Sequence, residues 1–432
     1  MKNLIIYLRF LSKHKTLSAI NILGLSIGLA TCIFIGLYIT EELRYDQYHA
    51  NINRIYSVTT KLTTDESLDH LAIASVALAP ELKQNYPEVE EAVRLKQLFN
   101  PTVRYQDVLF KEKDIYEADA EVFKVFTYKM LEGNPSTALA GLQNIVVTEF
   151  LAKKYFGQTD PINKTLLVNN REYLVSGVLE DVPSNSDLKF SALLSIDKTH
   201  DSDWFWDFAN VYILFRESYQ RTPSNLKLFE SKLKKISDEK FNEAFTSSNQ
   251  STRMNLFIEP LKNIHFRKPL YGDTQKGNMQ YLYILGSVAT LMLIIGSLNF
   301  VNFSLVQSLE RGKEVGIRKV LGATVSQIVA LLSQDFVKLV LISTGLASPV
   351  AYYFMSEWLG NFEYHTGIQW WVFAVAAVGA LVVALLTISF QAIRSATANP
   401  PRSAASSARS SPMSRRCRSR RISTPRPASA SP

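Results

Sequence analysis

Long apolar stretches that carry at most one charged residue alternate along the chain with polar, aromatic-rich stretches. The first apolar stretch covers residues 19–40, which is 22 positions. A membrane-spanning helix needs about 20 such residues, whereas the core of a signal peptide has roughly 7–15. Three further apolar stretches lie at residues 281–305, 337–355 and 370–390. The pattern therefore predicts a membrane protein with four transmembrane α-helices.

Small residues recur at every fourth position of the first predicted span: Gly24, Gly28, Cys32 and Gly36. Residues four apart lie on the same face of a helix. Small side chains let a second helix come close and gain van der Waals contact within the membrane. We interpret this face as a helix-packing seam. The alternative is that the glycines occur by chance in an apolar helix.

Lysine and arginine are distributed unevenly around the predicted spans. Four of them precede the first span and four lie between the second and third, whereas the segment between the third and fourth has none. Cytoplasmic loops carry an excess of basic residues. Both termini are therefore predicted to lie in the cytoplasm, and residues 45–280, called the outer domain below, on the other side of the membrane.

The outer domain mixes helical and strand-like patterns. Short helices are predicted at residues 80–83 and 86–93, and a longer one at 146–155. The apolar residues 166–168 and 173–175 predict a hairpin that turns at Asn169 and Asn170, and residues 211–215 predict another strand. Helices and strands do not alternate in a regular order, so the predicted class is α+β. The whole fold is predicted to be four transmembrane helices with this large α+β domain inserted between helices 1 and 2.

The outer domain shows no spacing of side chains that is typical of catalysis or metal binding. We interpret four scattered histidines as ordinary surface or core residues: His49, His70, His200 and His265. An aromatic cluster is interpreted as core packing, with a binding groove as the alternative: Trp204, Phe205, Trp206 and Phe208. The chain is therefore predicted to have no catalytic residue and no metal site.

The distribution of charge argues against two classes of function. No Asp, Glu, Lys or Arg falls within the core of a predicted span, whereas ion-coupled transporters carry such groups along their path. The net charge of +8, taken alone, would suggest a nucleic-acid partner. However, residues 401–432 contain eight arginines and no acid, so residues 1–400 are formally neutral. A secondary transporter and a nucleic-acid partner are therefore not predicted.

Residues 400–432 differ in composition from the rest of the chain. They are rich in Ser, Arg, Pro and Ala, a composition that cannot bury a core. We predict a disordered basic tail. Binding to anionic lipid is one role for such a tail, and an artefactual end of the sequence is the alternative that we favour.

The most informative segment, residues 308–324, joins the second and third predicted spans. Glu314 and Arg318 have the order of a helical ion pair, and Gly322 suits a helix C-cap. Thr324 and Gln327 fit a capping box that opens the next helix, predicted to lie on the membrane surface over residues 325–336. Gly312 and Gly316 each cost about 1 kcal/mol in a helix. Close approach by another protein would account for them, and a solvated helix that tolerates glycine is the alternative.

Residues 299–302 and 311–323 resemble the most specific motif of the FtsX-like, MacB-like permeases of ABC transporters. Segments of the outer domain resemble the MacB-type extracytoplasmic domain of that family at residues 45–49, 86–89, 155–157, 160–162 and 177–183. Asn163 stands where the family usually has Gly, which affects one turn. The resemblance covers residues 1–399.

The resemblance implies a dimer, either a homodimer or a heterodimer with a related permease, in the inner membrane of a bacterium. A separate cytoplasmic ABC ATPase would bind the loop after the second span and move the outer domain. ATP and magnesium would bind that ATPase and no cofactor would bind this chain, in which Gly312-Lys313 is followed by Glu314 rather than by Ser or Thr. The implied ATPase-coupling residues are Arg311, Gly312, Lys313, Glu314, Gly316, Ile317, Arg318, Lys319, Leu321 and Gly322.

These observations divide the chain into four parts. Residues 1–44 form the cytoplasmic N-terminus and first span, 45–280 the MacB-like outer domain, 281–399 the FtsX-like permease domain with its coupling loop at 306–336, and 400–432 the tail. The predicted function is that of a non-catalytic ABC permease subunit in the lipid bilayer, with an extracytoplasmic partner. The alternative is a membrane-anchored sensor or scaffold that recruits such a partner, for example a cell-wall enzyme. The substrate stays open.

Overall fold

The computed structural model describes residues 15–248, 251–274, 276–310, 324–360, 370–371, 373–379 and 381–382. The predicted coupling residues at 311–322 and the tail at 400–432 lie outside this part of the chain. The helices are α1 Lys15–Leu43, α2 Leu78–Asn85, α3 Val122–Val125, α4 Glu149–Phe156, α5 Pro223–Ser237, α6 Glu243–Ser247, α7 Leu261–Ile264, α8 Met279–Glu310 and α9 Val325–Gly360.

Fourteen strands lie between α1 and α8. They are β1 Ile55–Thr63, β2 Leu68–Leu71, β3 Ala74–Ser75, β4 Val89–Leu98, β5 Thr102–Tyr105, β6 Val108–Lys111, β7 Ile115–Ala118, β8 Met130–Gly133, β9 Asn144–Thr148, β10 Thr165–Val168, β11 Arg171–Leu179, β12 Ala192–Ser195, β13 Phe208–Phe215 and β14 Arg253–Pro260. Helices and strands alternate irregularly, which confirms the α+β prediction for the outer domain.

Two helices in the described part of the chain are long and apolar enough to cross a membrane. These stretches are Ile22–Leu43 within α1 and Met279–Gly296 within α8. A shorter apolar stretch, Val340–Phe354, lies within α9. Residue 372, residue 380 and residues 383–390 of the fourth predicted span lie outside the described residues, so the count of four spans stays a prediction.

Helix α9 begins as the sequence predicts. The Thr324 N–H donates to Oε1 of Gln327 at 3.1 Å, and the Gln327 N–H donates to Oγ1 of Thr324 at 3.4 Å. This reciprocal pair is a capping box, which supplies partners for N–H groups at the helix start. The prediction of a separate surface helix at 325–336 is wrong, because α9 continues without a break to Gly360.

The strands of the outer domain form one mixed sheet in the order β14-β1-β13-β4-β7-β12-β9-β11-β10-β5-β6. Most neighbours pair antiparallel, whereas β12 pairs parallel with β7 and β11 with β9. The predicted hairpin is confirmed as β10 and β11. Asn169 and Asn170 at its turn have φ of 48° and 63°, a left-handed conformation that asparagine tolerates.

The core of the outer domain lies where its helices cover the sheet. Helices α2 and α5 bury Leu82 and Phe229 against the strands at the β14 end of the sheet. Helix α4 buries Leu151 and Tyr155 against β9, β10 and β11. A third apolar cluster lies beneath the segment that contains α3 and includes Phe126.

Two predictions of helix in the outer domain are corrected. Residues 89–98 form β4, in which Val93 is fully buried where it pairs with β13, and Leu95 is fully buried between β13 and β7. Tertiary pairing therefore overrides the local helical pattern of residues 86–93. The helix predicted at 146–155 begins only at Glu149, because residues 144–148 belong to β9 and the Thr148 side chain caps the N–H of Leu151.

The aromatic cluster of the sequence is divided between core and surface. Trp204 and Phe208 pack against the cluster that contains Phe229, as core packing predicts. Trp206 is 90% exposed, although it lies only two residues from Trp204. The core interpretation is thus right for Trp204 and Phe208 and wrong for Trp206.

Candidate functional site

The two long apolar helices, α1 and α8, pack along each other. A methyl group at Gly28 would lie 3.5 Å from the carbonyl oxygen of Met292, and the Cys32 thiol donates to the carbonyl oxygen of Ala289 at 3.1 Å. Gly296 of α8 lies against Leu25 of α1, where an added Cβ would be 3.6 Å from Cδ1. Gly28 and Cys32 of the predicted seam therefore face α8, and the helices run antiparallel.

The other two residues of the predicted seam, Gly24 and Gly36, are half-buried on α1. Small residues also occur on the α8 side, where Gly286 lies near Ile39 of α1. Close backbone approach is how helices associate in lipid, since apolar side chains there gain nothing by leaving water. The contact between the helices thus depends on fit rather than on charge.

A cluster of charged side chains lies where α1 and α8 meet the outer domain. We call it the joint and define it by Glu42, Asp46, Asp187, His265, Lys276 and Gly277. Glu42 belongs to the last turn of α1 and Asp46 to the turn that follows it. Asp187 belongs to the loop between β11 and β12, and the other three to the segment between α7 and α8. The joint therefore connects three distant parts of the chain.

His265 lies at the centre of the joint and is buried. Its Nε2 is 2.8 Å from Oε2 of Glu42, and its Nδ1 is 3.1 Å from Oδ1 of Asp187. Its ring stacks on Tyr45, with 3.4 Å between the centroids. Burial alone would lower the pKa of His265, but hydrogen bonds to the two carboxylates raise it above the ordinary value. A protonated His265 donates to both carboxylates and so ties α1 to the outer domain.

Lys276 connects the loop that contains Asp187 to the start of α8. Its Nζ is 2.6 Å from Oδ2 of Asp187 and 3.0 Å from Oδ1 of Asp273, and its side chain is 2% exposed. Asp273 also accepts from Arg267, which in turn pairs with Glu259 at the end of β14. Burial would raise the pKa of Asp187, but His265 and Lys276 hold it below its usual value. Buried charges of both signs thus compensate one another, as they must in a low-dielectric interior.

Gly277 allows the parts of the joint to come together. A Cβ at this position would lie against the His265 ring and 2.8 Å from Oε2 of Glu42. The Gly277 N–H donates to the carbonyl oxygen of His265 at 2.9 Å. Any larger residue would therefore push α1 away from the segment that enters α8.

The turn after α1 is fixed to the outer domain by Asp46. Its φ is 57°, a left-handed conformation, and its N–H donates to the carbonyl oxygen of Asn185 at 2.9 Å. Its Oδ1 accepts from Oγ of Ser186 at 2.9 Å and from the N–H of Asp187 at 3.0 Å. Burial, with a contribution from the nearby Asp187 carboxylate, raises the pKa of Asp46 to about 7. The C-terminal end of α1 is therefore rigidly attached to the loop between β11 and β12.

The joint does not follow from the sequence pattern. By spacing alone His265 is an ordinary residue, and the loop that holds Asp187 is a structural turn. The one local signal is that Glu41 and Glu42 directly follow a long apolar stretch, where a carboxylate finds a partner at the membrane surface. Asp187 and His265 lie 145 and 223 residues after Glu42 along the chain, so no local pattern could reveal that these residues meet.

Two domain profiles match successive parts of the chain. Residues 18–222 match the MacB-like periplasmic core domain, and residues 286–400 match the FtsX-like permease C-terminal domain. The chain belongs to the FtsX-like, MacB-like family of ABC transporter permeases. This confirms the resemblance found in the sequence. Proteins of this family are typically non-catalytic, and the domain composition makes this permease a membrane protein with a periplasmic core domain.

Curated relatives of this permease share about a quarter of its residues. The uncharacterized ABC transporter permease YknZ of Bacillus subtilis (strain 168) is 26% identical over 205 residues, which is 47% of each chain. The macrolide export ATP-binding/permease protein MacB of Aggregatibacter actinomycetemcomitans is 26% identical over 251 residues, 54% of this chain and 33% of MacB. The permease thus spans half or less of the length of these relatives.

Two solved structures resemble about half of this chain. A domain of a putative permease protein from Porphyromonas gingivalis is 18% identical, with a TM-score of 0.44, and covers 55% of this chain and 98% of that one. The periplasmic region of MacB from Actinobacillus actinomycetemcomitans is 13% identical, with a TM-score of 0.35, and the match covers 50% of this chain and 92% of that one.

Proposed function

We propose that this permease passes force from a separate cytoplasmic ATPase to its periplasmic core domain. In this proposal the chain crosses the bacterial inner membrane four times, with both termini in the cytoplasm, and works as a dimer. The ATPase binds residues 311–322 between the second and third spans. Its closure on ATP moves the spans, and the joint carries that movement to the outer domain.

The observation that carries the proposal is the set of contacts made by His265. A force that reaches the outer domain through the spans must cross a few residues at the ends of α1 and α8. Those residues are Glu42 and the segment that contains Lys276, and both are tied to one loop of the outer domain through Asp187 and His265. Short hydrogen bonds between charged groups are strong and directional. The connection therefore resists bending better than a flexible linker would.

A separate ATPase is supported by the sequence itself. MacB is named as an ATP-binding and permease protein, and the part of it that aligns with this chain is a third of its length. The 432 residues of the permease contain no Gly-x-x-x-x-Gly-Lys-Ser/Thr loop, which cradles phosphates in many ATPases. We infer that ATP and magnesium bind another polypeptide, and that this permease contributes binding residues to it rather than catalysis.

The test is a pull-down of the tagged permease from membranes in mild detergent, followed by mass spectrometry. Arg318→Glu reverses one charge in the proposed coupling loop. Arg171→Glu, which reverses an exposed charge of the outer domain, is the matched control. We expect an ABC ATPase with the wild type and with Arg171→Glu, and at least a tenfold loss of it with Arg318→Glu.

Two results would overturn the proposal. Recovery of the ATPase at wild-type strength with Arg318→Glu would remove that residue from the interface. Recovery of only periplasmic proteins in every sample, with no ATPase, would favour the alternative function of a membrane-anchored sensor or scaffold.

A further inference from the structure

Two polar atoms beside the joint are buried without a hydrogen-bond partner. They are Oδ2 of Asp46 and Nε2 of His49. Each residue is only 1% exposed. A polar group left unpaired in the interior destabilises the fold. Two such groups side by side therefore indicate a bound molecule that satisfies both.

The geometry excludes a direct bond between these side chains. Nε2 of His49 lies 4.0 Å from Oδ1 of Asp46, beyond the 2.7–3.2 Å of a hydrogen bond. Oδ1 is already occupied by Ser186 and by the N–H of Asp187. The space beside His49 is bounded by Tyr128, whose ring meets that of His49 edge-on at 5.5 Å and whose hydroxyl is buried.

The protonation of His49 is fixed by its other nitrogen. Nδ1 accepts a hydrogen bond from the N–H of Thr127 at 3.1 Å and so carries no proton. Burial lowers the pKa of His49 to about 3, so the ring is neutral at ordinary pH. The remaining proton must then be on Nε2, which is a donor. Above the pKa of Asp46, which is about 7, the site therefore offers one donor, from His49, and one acceptor, the free carboxylate oxygen of Asp46.

The combination of one donor and one acceptor determines which small molecule or ion can bind here. A metal cation would bind the Asp46 carboxylate but would face the N–H of His49. An anion would accept from His49 but would be repelled by Asp46. A water molecule accepts from one and donates to the other, and bridges polar groups that are more than 3.5 Å apart. Buried waters make about three hydrogen bonds, and the buried Tyr128 hydroxyl can supply the third.

We propose that Asp46, His49 and Tyr128 form a binding site for one water molecule, which bridges the turn after the first span and the body of the outer domain. The site is built from two parts of the chain that only the folded joint brings together: the turn at 46–49 and the segment at 127–128. Bound water is thus a component of the joint, independent of whether the permease couples to an ATPase.

The test begins with a structure of the 432-residue chain in lipid nanodiscs, at a pH above the Asp46 pKa of about 7 and at a resolution that shows ordered water. We expect one peak within hydrogen-bond distance, about 3.2 Å, of both Oδ2 of Asp46 and Nε2 of His49. Direct contact between the two side chains, an empty space, or a peak with cation distances of about 2.3–2.6 Å to Asp46 would each overturn the proposal.

Two variants at His49 separate the water site from simple packing. His49→Gln retains an acceptor for the Thr127 N–H and a donor for the water, so we expect the peak to persist. His49→Leu removes the donor, so we expect the peak to disappear although the fold is retained. A peak that survives in His49→Leu would show that His49 does not hold the water.

Which ring nitrogen of His49 carries the proton can be measured without a high-resolution structure. In ¹⁵N spectra of histidine-labelled permease, with His49 assigned by its loss in His49→Gln, we expect the proton on Nε2 throughout pH 5–8. A proton on Nδ1, or titration of the ring in this range, would contradict the donor role of His49.

Discussion

The joint and the contact between α1 and α8 hold the same two helices together by opposite means. At the joint, buried charges pair across short distances, with Lys276 between two carboxylates and His265 between Glu42 and Asp187. Along the helix contact, glycines allow close approach and the Cys32 thiol supplies a side-chain hydrogen bond. Charge pairs lock a single geometry, whereas a small-residue contact permits sliding. This difference supports the proposal that the spans pass force to an outer domain to which they are firmly attached.

The largest expected effect comes from removing a buried charge of the joint. Lys276→Met leaves Asp187 and Asp273 without their shared cation, and breaking a buried pair costs about 3–5 kcal/mol. We expect a loss of that size in the free energy of unfolding of the outer domain, followed by tryptophan fluorescence in detergent. Lys129→Met is the control, because Lys129 and Glu180 form an exposed pair worth below about 1 kcal/mol. Equal losses in both variants would refute the central role of the joint.

A pair of glycines tests how tightly the joint is packed, with an uncrowded glycine of α9 as the control. At Gly277, alanine would press on Glu42 and the His265 ring, and overpacking costs about 1–3 kcal/mol. At Gly345 in α9, a Cβ meets nothing within 4 Å, so alanine should be neutral or stabilise by up to about 1 kcal/mol. The measurement is the midpoint of thermal unfolding of both variants. A Gly277→Ala protein as stable as the wild type would show that the joint yields easily.

The stability contributed by the joint should depend on pH, whereas the stability contributed by the contact between α1 and α8 should not. The pKa of Asp46 is raised to about 7 from an ordinary 3.8, so between these values the folded protein binds the extra proton. Stability should therefore fall as pH rises from 4 to 7, with a slope of at most about 1.4 kcal/mol per pH unit. His265 acts in the same direction at higher pH, since its raised pKa gives stability that is lost as the pH rises through it.

Unfolding midpoints between pH 4.5 and 8.5 check this prediction. In Asp46→Asn, which keeps the acceptor oxygen but not the charge, the slope below pH 7 should become shallower. The carboxyl groups of Asp114, Glu117 and Asp181, whose pKa values burial also raises, account for what remains. A slope of wild-type size in that variant would assign the pH dependence to another group.

The smallest effect is expected in the helix contact. An alanine Cβ at Gly28 would lie 3.5 Å from the Met292 oxygen, an ordinary van der Waals distance, so Gly28→Ala should change stability by below about 1 kcal/mol. Gly28→Leu should force α1 and α8 apart. Cross-linking between Leu25→Cys and Gly296→Cys, in a background without Cys32 and Cys417, should persist in the first variant and fall severalfold in the second. Unchanged cross-linking in Gly28→Leu would mean that this face is not a packing seam.

Local structure was predicted well where neighbouring residues decide it. The turn at Asn169 and Asn170 follows from the preference of asparagine for a left-handed conformation, and the capping box at Thr324 follows from side-chain reach over three residues. The helix predicted at 86–93 failed for the opposite reason. Val89 and Val93 are helix-compatible in isolation, but burial and pairing with β13 hold them in β4.

The candidate site was predicted only in part. The small-residue face of α1 could be read from a repeat of four, because helix geometry is fixed by the backbone. The coupling residues at 311–322 rest on the family resemblance and stay a prediction. The joint could not be found from spacing, since Glu42, Asp187 and His265 are linked by burial and charge rather than by sequence order.

The sequence by itself determined the membrane character of the chain, its α+β outer domain and its membership of the FtsX-like, MacB-like family. These features depend on the lengths of apolar stretches and on short motifs, both of which involve residues that are adjacent in the sequence. Only the tertiary structure decided which charges meet. A single histidine is chemically ambiguous in a sequence, and His265 became the centre of the joint because folding buried it between two carboxylates. Desolvation makes such a pairing obligatory, and desolvation is a property of the fold rather than of the residue.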